Sequence, residues 1–481
     1  MPESPATDDD RDVSRAGYRP EFRRGLGAFA AFAAGFSYLS ILTGIVQNFH
    51  LGYREAGPAF IWTWPIVFAG QLCLALCFAG LAREYPYCGG VYAWSRRSGS
   101  AFLGWLTGWV YLASLVVTLA AVALAWQVVL PAVWPGFQMV DEPARNAAIL
   151  GTILIAISTL LNAAPTRWMA AIMNAGVVLE LIASVVLIVL LGVHAARGPG
   201  LTFSLPVGGE SDGFGLAGPF LAAAVMAAYV MYGFDTAGTL AEETLDPRRR
   251  APWAILQALA AAAFLGMLLL LAAVLAAPDP TDPRLSSDAG GLPFLIKSVL
   301  GEGLGTVFVL ASVAAIFVCT LAVQANAARV LFAMARDRAV PGWRTLGRVH
   351  PEQRSPRAAA ILIGILGCGL LLVNMQFSAA MSALVCVSIV WANLAYLLTT
   401  GPMFLRRTRT SFLGRWTVPL AGLAVIWGTV LIVNVGWPRE RLYGSEWYLK
   451  WGAPLDTAAL LAVGLVVYAI LKPSRDPGEH S

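Results

Sequence analysis

The chain has 481 residues, of which 58% are apolar and only 13% charged, against about 25% charged in an average soluble domain. That excludes an ordinary soluble fold and reads as an integral membrane protein. The net charge of +5 calls for no nucleic-acid partner, because the basic residues fall mainly in loops on one side of a bilayer.

Residues 1–24 are polar, with three consecutive aspartates at 8–10 followed by five arginines. They read as a disordered cytoplasmic tail leading into an anchor that is not cleaved. A span needs about 20 mainly apolar residues. Twelve candidates follow: 26–50, 58–82, 101–130, 146–164, 168–194, 216–240, 252–277, 303–328, 358–374, 378–402, 417–436 and 453–471. With both termini inside, the inner loops and tails hold 25 of the 33 Lys and Arg residues and the outer loops eight, which sets the orientation. The expected fold is all-α, with about twelve transmembrane helices at the plasma membrane. The domain plan is a tail (1–24), one membrane-embedded unit (25–472) and a second tail (473–481).

The first segment carries Ser40, Thr43 and Gly44 near its middle, where a spanning helix should be unbroken. Gly weakens a helix there, and hydroxyls compete for its backbone bonds. The sixth segment shows the same disturbance, with Gly233, Asp235 and Gly238 near its centre. Five segments apart, the two run in opposite directions. Disturbed helices in corresponding positions of two halves point to a transporter site. Residues 26–194 and 216–402 then form an inverted repeat, with 417–471 appended.

Broken helices expose amides and carbonyls, which suit an anion and a cation respectively. The amides of Thr43 and Gly44 would take a carboxylate. The carbonyls of Ser40 to Leu42 and of Tyr229 to Tyr232 would take an amine, with aromatic faces at Tyr229, Tyr232 and Phe234. Asp235 is expected to hold the break by hydrogen bonds. Glu180, mid-span in the fifth segment, is either a proton-coupling group or the counter-charge of a cationic substrate; a fixed structural hydrogen bond is the bland alternative. Thr320 and Gln324 share a face of the eighth segment and either line the cavity or act as interhelical glue.

Elsewhere, residues 291–304 should form a short helix over the outer face, and 338–357 a basic inner loop with a short helix. Glu84, Glu242 and Glu243 should pair with basic groups such as Arg248, Arg329 and Arg336, as an inward latch or as ordinary surface pairs. The tryptophans at 62, 64, 105, 109, 437, 447 and 451 read as an interfacial belt. Six scattered cysteines and four histidines suggest no metal site and no disulfide-linked partner.

At this point the chain resembles the amino acid–polyamine–organocation superfamily, especially its amino acid/choline branch. The carriers are SILTGI at 40–45, EYP at 84–86, GGVY at 89–92, GWLTGW at 104–109, YGFD at 232–235, EETLDP at 242–247, Arg329, AMARD at 333–337 and VP at 340–341. The resemblance implies an inverted-repeat fold with unwound first and sixth helices. It also implies substrate binding at Thr43 and Gly44 through backbone, carbonyls at and around Leu42, and an aromatic gate at Tyr229. The glycine commonly found two residues before Gly44 is Leu42 here, which favours the amino acid/choline branch. Where some proton-coupled relatives carry a lysine, this chain carries Glu180. The expected function is a secondary transporter for amino acids or related amines, proton-coupled or exchanging, with no cofactor and with sodium coupling left open. An organocation transporter or a non-transporting sensor is the alternative. No phosphate-binding loop for ATP and no clustered catalytic set is present, so neither a pump nor an enzyme is expected.

Overall fold

The computed structural model describes residues 13–22, 24–204, 214–375 and 380–471. The terminal segments 1–12 and 472–481, which hold most of the expected tails, lie outside them. Among the described residues there is no β-strand beyond one isolated bridge, between Leu26 and Thr244.

The first expected span is two helices, α1 (Ala28–Leu39) and α2 (Ile41–Ala56). Then come α3 (Thr63–Glu84), a short α4 (Gly90–Ser98), α5 (Ala101–Leu124) and α6 (Trp126–Val133), α7 (Pro143–Asn162) and α8 (Thr166–Val193). The sixth span is broken as well, into α9 (Gly218–Val230) and the single turn α10 (Thr236–Thr239). The chain continues through α11 (Pro247–Ala276), α12 (Gly291–Arg336), α13 (Trp343–Leu346), α14 (Arg357–Asn374) and α15 (Ala380–Leu405). It closes with α16 (Thr417–Gly436), two single turns, α17 (Glu440–Tyr443) and α18 (Trp447–Lys450), and α19 (Gly452–Leu471).

Nine helical stretches among the described residues are long and apolar enough to cross a membrane. The first, 28–84, contains two of the expected spans, and the expected sixth and ninth correspond to the shorter apolar helices 218–230 and 357–373. The expected third span divides at Ala125, so its excess length comes from a second helix. In α12, Gly301 takes φ 77° and ψ 168°, so residues 291–300 form a separate helical arm before the span.

Helices five apart in the expected order pack together: α2 on α9, α3 on α11, α5 on α12, and α7 on α14. The pairing of α5 with α15 has its counterpart in that of α12 with α8. Helix α19 hardly joins this core, with only Ala453 and Gly464 buried.

Two expectations need correction. Part of the presumed disordered tail is packed: Val13 is buried against Tyr87 and Ala93, and the Arg97 guanidinium donates to the Ala16 carbonyl. Trp64 and Trp105 are core residues rather than belt residues, each 1% exposed. Their indole N–H groups satisfy the carbonyls of Ala263 and Ala339, as buried indoles require. Trp447 and Trp451 do lie exposed.

Candidate functional site

The site starts from the two breaks. Ser40 leaves the helix at φ 26°, ψ 98°, and its hydroxyl accepts the Thr43 amide at 3.3 Å. Serine is a strong N-cap because its oxygen satisfies an otherwise orphaned amide. Opposite, the chain is non-helical from 231 to 235, and Gly233 turns at φ 95°. Two glycines let the broken helices meet. A Cβ on Gly44 would lie 2.5 Å from Val230, and one on Gly233 would lie 1.9 Å from the Tyr38 ring.

Glu180, 1% exposed on α8, reaches the first break. Its Oε1 accepts the Ser40 hydroxyl at 2.9 Å and the Leu42 amide at 3.0 Å. The chain's own carboxylate therefore sits at the N-terminus of α2, where the helix dipole and free amides favour an anion. The Gly44 amide is held by the Ser40 carbonyl at 3.0 Å. The amides assigned from sequence to a substrate carboxylate are thus engaged within the chain in this conformation.

Asp235 holds the second break. It is fully buried and accepts the hydroxyls of Tyr111 at 2.6 Å and Tyr396 at 2.5 Å. Tyr396 in turn accepts the Gly233 amide at 2.9 Å. The Asn326 side chain donates to Tyr111 and to Thr236. One carboxylate thereby ties α5, α10, α12 and α15 around the unwound residues.

Between the breaks lies a cavity of about 10 Å³, room for roughly one water. Tyr38, Thr43, Gly44, Thr118, Tyr229 and Tyr232 are among its walls. The Tyr232 ring stands edge-on to both Tyr38 (5.9 Å) and Tyr229 (5.8 Å). Its hydroxyl bonds Thr118 at 2.8 Å and donates to Ser388 at 3.0 Å. The hydroxyls of Tyr38 and Tyr229 are buried without a hydrogen-bond partner among the described residues, which is costly unless something fills the role.

Of the residues singled out from sequence, Thr43, Gly44, Tyr229 and Tyr232 line this cavity. Ser40 and Leu42 serve Glu180 instead, and Gly233 backs the Tyr38 ring. Phe234 packs against Phe78 and Tyr396 and is not among the cavity walls. Thr320 bonds only its own helix, at the Ile316 carbonyl, whereas Gln324 bridges to Thr159 and Ala360 and acts as interhelical glue. Sequence reasoning missed Tyr38, Thr118, Tyr111 and Tyr396. For Thr118 a signal existed: with Ser114 it makes a polar i, i+4 pair inside an otherwise apolar run.

Each end of the molecule is closed by polar contacts. At the end where the basic residues concentrate, Arg329 pairs with Glu243 (2.5 Å) and Arg336 with Glu242 (2.9 Å). The Cys88 amide also donates to Glu242. Asp337 accepts from Tyr18 and Tyr92 and pairs with Arg96, while the Arg336 guanidinium lies 3.8 Å over the Tyr18 ring. Burial and the Asp337 charge push the Tyr18 hydroxyl well above its ordinary pKa. Glu84 accepts the Ser411 amide, and the Arg248 and Arg83 charges act on it without a direct ion-pair contact among the described residues. At the opposite end His50 contacts Asp288 at 3.1 Å, and the Tyr53 hydroxyl donates to the Pro280 carbonyl.

Residues 26–451 match the amino acid permease family. The chain is similar to the amino-acid permease BAT1 of Arabidopsis thaliana, 25% identical over 94% of this chain and 92% of the relative. It is 26% identical to the BAT1 homolog of rice, Oryza sativa, over 87% and 84%. It is also 28% identical to a methylthioribose transporter of Bacillus subtilis, over 69% of each chain.

Proposed function

Because this chain belongs to the amino acid permease family, a multi-pass membrane protein that transports amino acids rather than an enzyme, we propose that it is a secondary active transporter working by alternating access. The observation that carries this reading is the pair of facing helix breaks, at Ser40 and at 231–235, each with a buried carboxylate, Glu180 at the first and Asp235 at the second. The packing of helices five apart supports an inverted repeat, in which one half rocks against the other. The excess of basic residues on one side supports cytoplasmic termini in a plasma-membrane protein.

Glu180 supplies the coupling. Ionised, it caps α2 and repels a second carboxylate at the same helix end. That repulsion is about 4 kcal/mol at 4 Å and an effective dielectric of 20. Protonated, it gives up the charge and weakens its hold on the Leu42 amide and the Ser40 hydroxyl, so the N-terminus of α2 becomes available to the carboxylate of a zwitterion. One proton then accompanies each amino acid. The tyrosine faces of Tyr38, Tyr229 and Tyr232 take the amine end.

A second reading, an organic cation neutralised by ionised Glu180, is favoured by the same three rings and by the occupied amide seat. Uptake into proteoliposomes separates the two. The expected result is accumulation of amino acids driven by an inward proton gradient, with a sodium gradient having no effect. The Glu180→Gln variant should lose accumulation at least tenfold while keeping exchange of internal for external substrate. Full gradient-driven accumulation in that variant rules Glu180 out as the coupling group. Amines that compete while amino acids do not would favour the cation reading. Saturable binding without uptake under any gradient would make the protein a sensor.

A further inference from the structure

Away from the broken helices, an open cleft of about 590 Å³ lies at the basic end, between the end of α3, the start of α11 and the turn at 411–412. Arg83, Asp246, Arg248, Arg249, Trp253 and Phe412 line it. Three guanidinium groups face the Asp246 carboxylate, and the Glu84 carboxylate, held by the Ser411 amide, stands beside Arg83 and Arg248, so one positive charge is left over. Arg83 and Arg249 are exposed and make no ion pair among the described residues. The Arg248 side chain donates to the Arg83 carbonyl at 3.2 Å, which joins the two helix ends that wall the cleft. The Trp253 indole is 55% exposed and stands edge-on to Phe412 at 6.0 Å.

The height of the cleft follows from helix length. The 30 residues of α11 extend about 45 Å, against a hydrocarbon core of about 30 Å. Because Arg248, Arg249 and Arg250 fill its first turn and the mainly apolar run begins only at residue 251, the end of α11 that projects past the hydrocarbon is this one. Arg248 and Arg249 stand at headgroup level, and Trp253, one turn on, stands at the boundary where indoles settle. Guanidinium groups match phosphate oxygens in pairs, and an apolar indole and phenyl at the rim suit the glycerol and upper acyl region of a lipid. A soluble phosphate has no use for them.

We propose that this cleft binds the headgroup of an anionic phospholipid, with Arg83 and Arg249 on the phosphate and Trp253 against the glycerol. The site is separate from the transport cavity and does not depend on the substrate or the coupling ion.

The test is lipid retention by the purified full-length protein in neutral detergent, read by native mass spectrometry. Phosphatidylglycerol and phosphatidylcholine are offered separately to the wild type, to R83Q/R249Q, and to R145Q as an exposed arginine outside the cleft. Wild type and R145Q should retain phosphatidylglycerol over phosphatidylcholine, and R83Q/R249Q should lose that preference roughly tenfold. Millimolar inorganic phosphate should not displace the lipid. Melting temperature in lipid-free micelles checks folding; should the double variant not fold, R83Q and R249Q singly carry the same comparison. Equal retention of the two lipids by the wild type, an unchanged preference in the arginine variants, or displacement by inorganic phosphate overturns the proposal.

Discussion

Gly233 shows how tightly single positions are held. Its φ of 95° is one that side chains rarely adopt, and an added methyl would fall inside the Tyr38 ring. Gly233→Ala should therefore combine backbone strain of about 1 kcal/mol with an overpacking cost of 1–3 kcal/mol. A fall of the thermal midpoint, with loss of substrate-induced stabilisation, is the expected reading. The double variant Gly233→Ala/Tyr38→Ala should show less overpacking while the strain remains, so its stability should fall by less than the sum of the two single changes. A midpoint equal to wild type in Gly233→Ala would mean that the two helices do not meet as described. The glycine was legible in the sequence as a helix breaker. Its partner was not, because nothing local says which ring, 195 positions away, lies against it. The same holds for Asp235: its burial was inferable from a polar residue in an apolar run, but its two tyrosines come from α5 and α15.

At the scale of elements, the breaks, the short arm before Gly301 and the short helix at 343–346 were all readable from glycine, hydroxyl and charge placement. The division of the third span at Ala125 was not, because alanine carries no breaking signal. The closing contacts differ in kind at the two ends. The Glu243–Arg329 pair is 3% exposed on both sides, so removing one partner strands a buried charge. Glu243→Gln should cost about 3–5 kcal/mol, read as a lower unfolding midpoint in detergent. Asp288 at the other end is 74% exposed in its pair with His50. The His50 imidazole, 3.1 Å away, holds the Asp288 carboxyl below its ordinary value of 3.8. A lowered carboxyl pKa stabilises above the unfolded value and is lost as pH falls through the folded one. Asp288→Asn should therefore lower stability at neutral pH by less than about 1 kcal/mol, given the solvent screening of an exposed pair. The difference between variant and wild type should shrink to nothing in acid.

For the whole molecule, the consequence of two closed ends and a cavity of one water is occlusion: substrate can enter only after one set of contacts parts. The Cys88 thiol reports on that step. It is 2% exposed, beneath the Glu242–Arg336 pair and against the Arg329 carbonyl. With the other five cysteines replaced by alanine, a membrane-impermeant maleimide should label it slowly and only from the cytoplasmic side. Arg336→Gln removes one partner of the ion pair and the cation over Tyr18. A bias of about 1.4 kcal/mol toward opening multiplies the open population tenfold, so labelling should accelerate by at least that factor. The Tyr18→Phe change, which breaks only the bond to Asp337, should accelerate it less. If Arg336→Gln labels as slowly as wild type, the ion pairs are structural and the opening runs elsewhere. Labelling from the opposite side would invert the orientation drawn from the basic residues. Since Tyr18 in the packed segment 13–22 bonds Asp337 and lies under the Arg336 guanidinium, the stretch that reads in sequence as a loose tail is, on the proposed alternating-access reading, part of the barrier that labelling of Cys88 would probe.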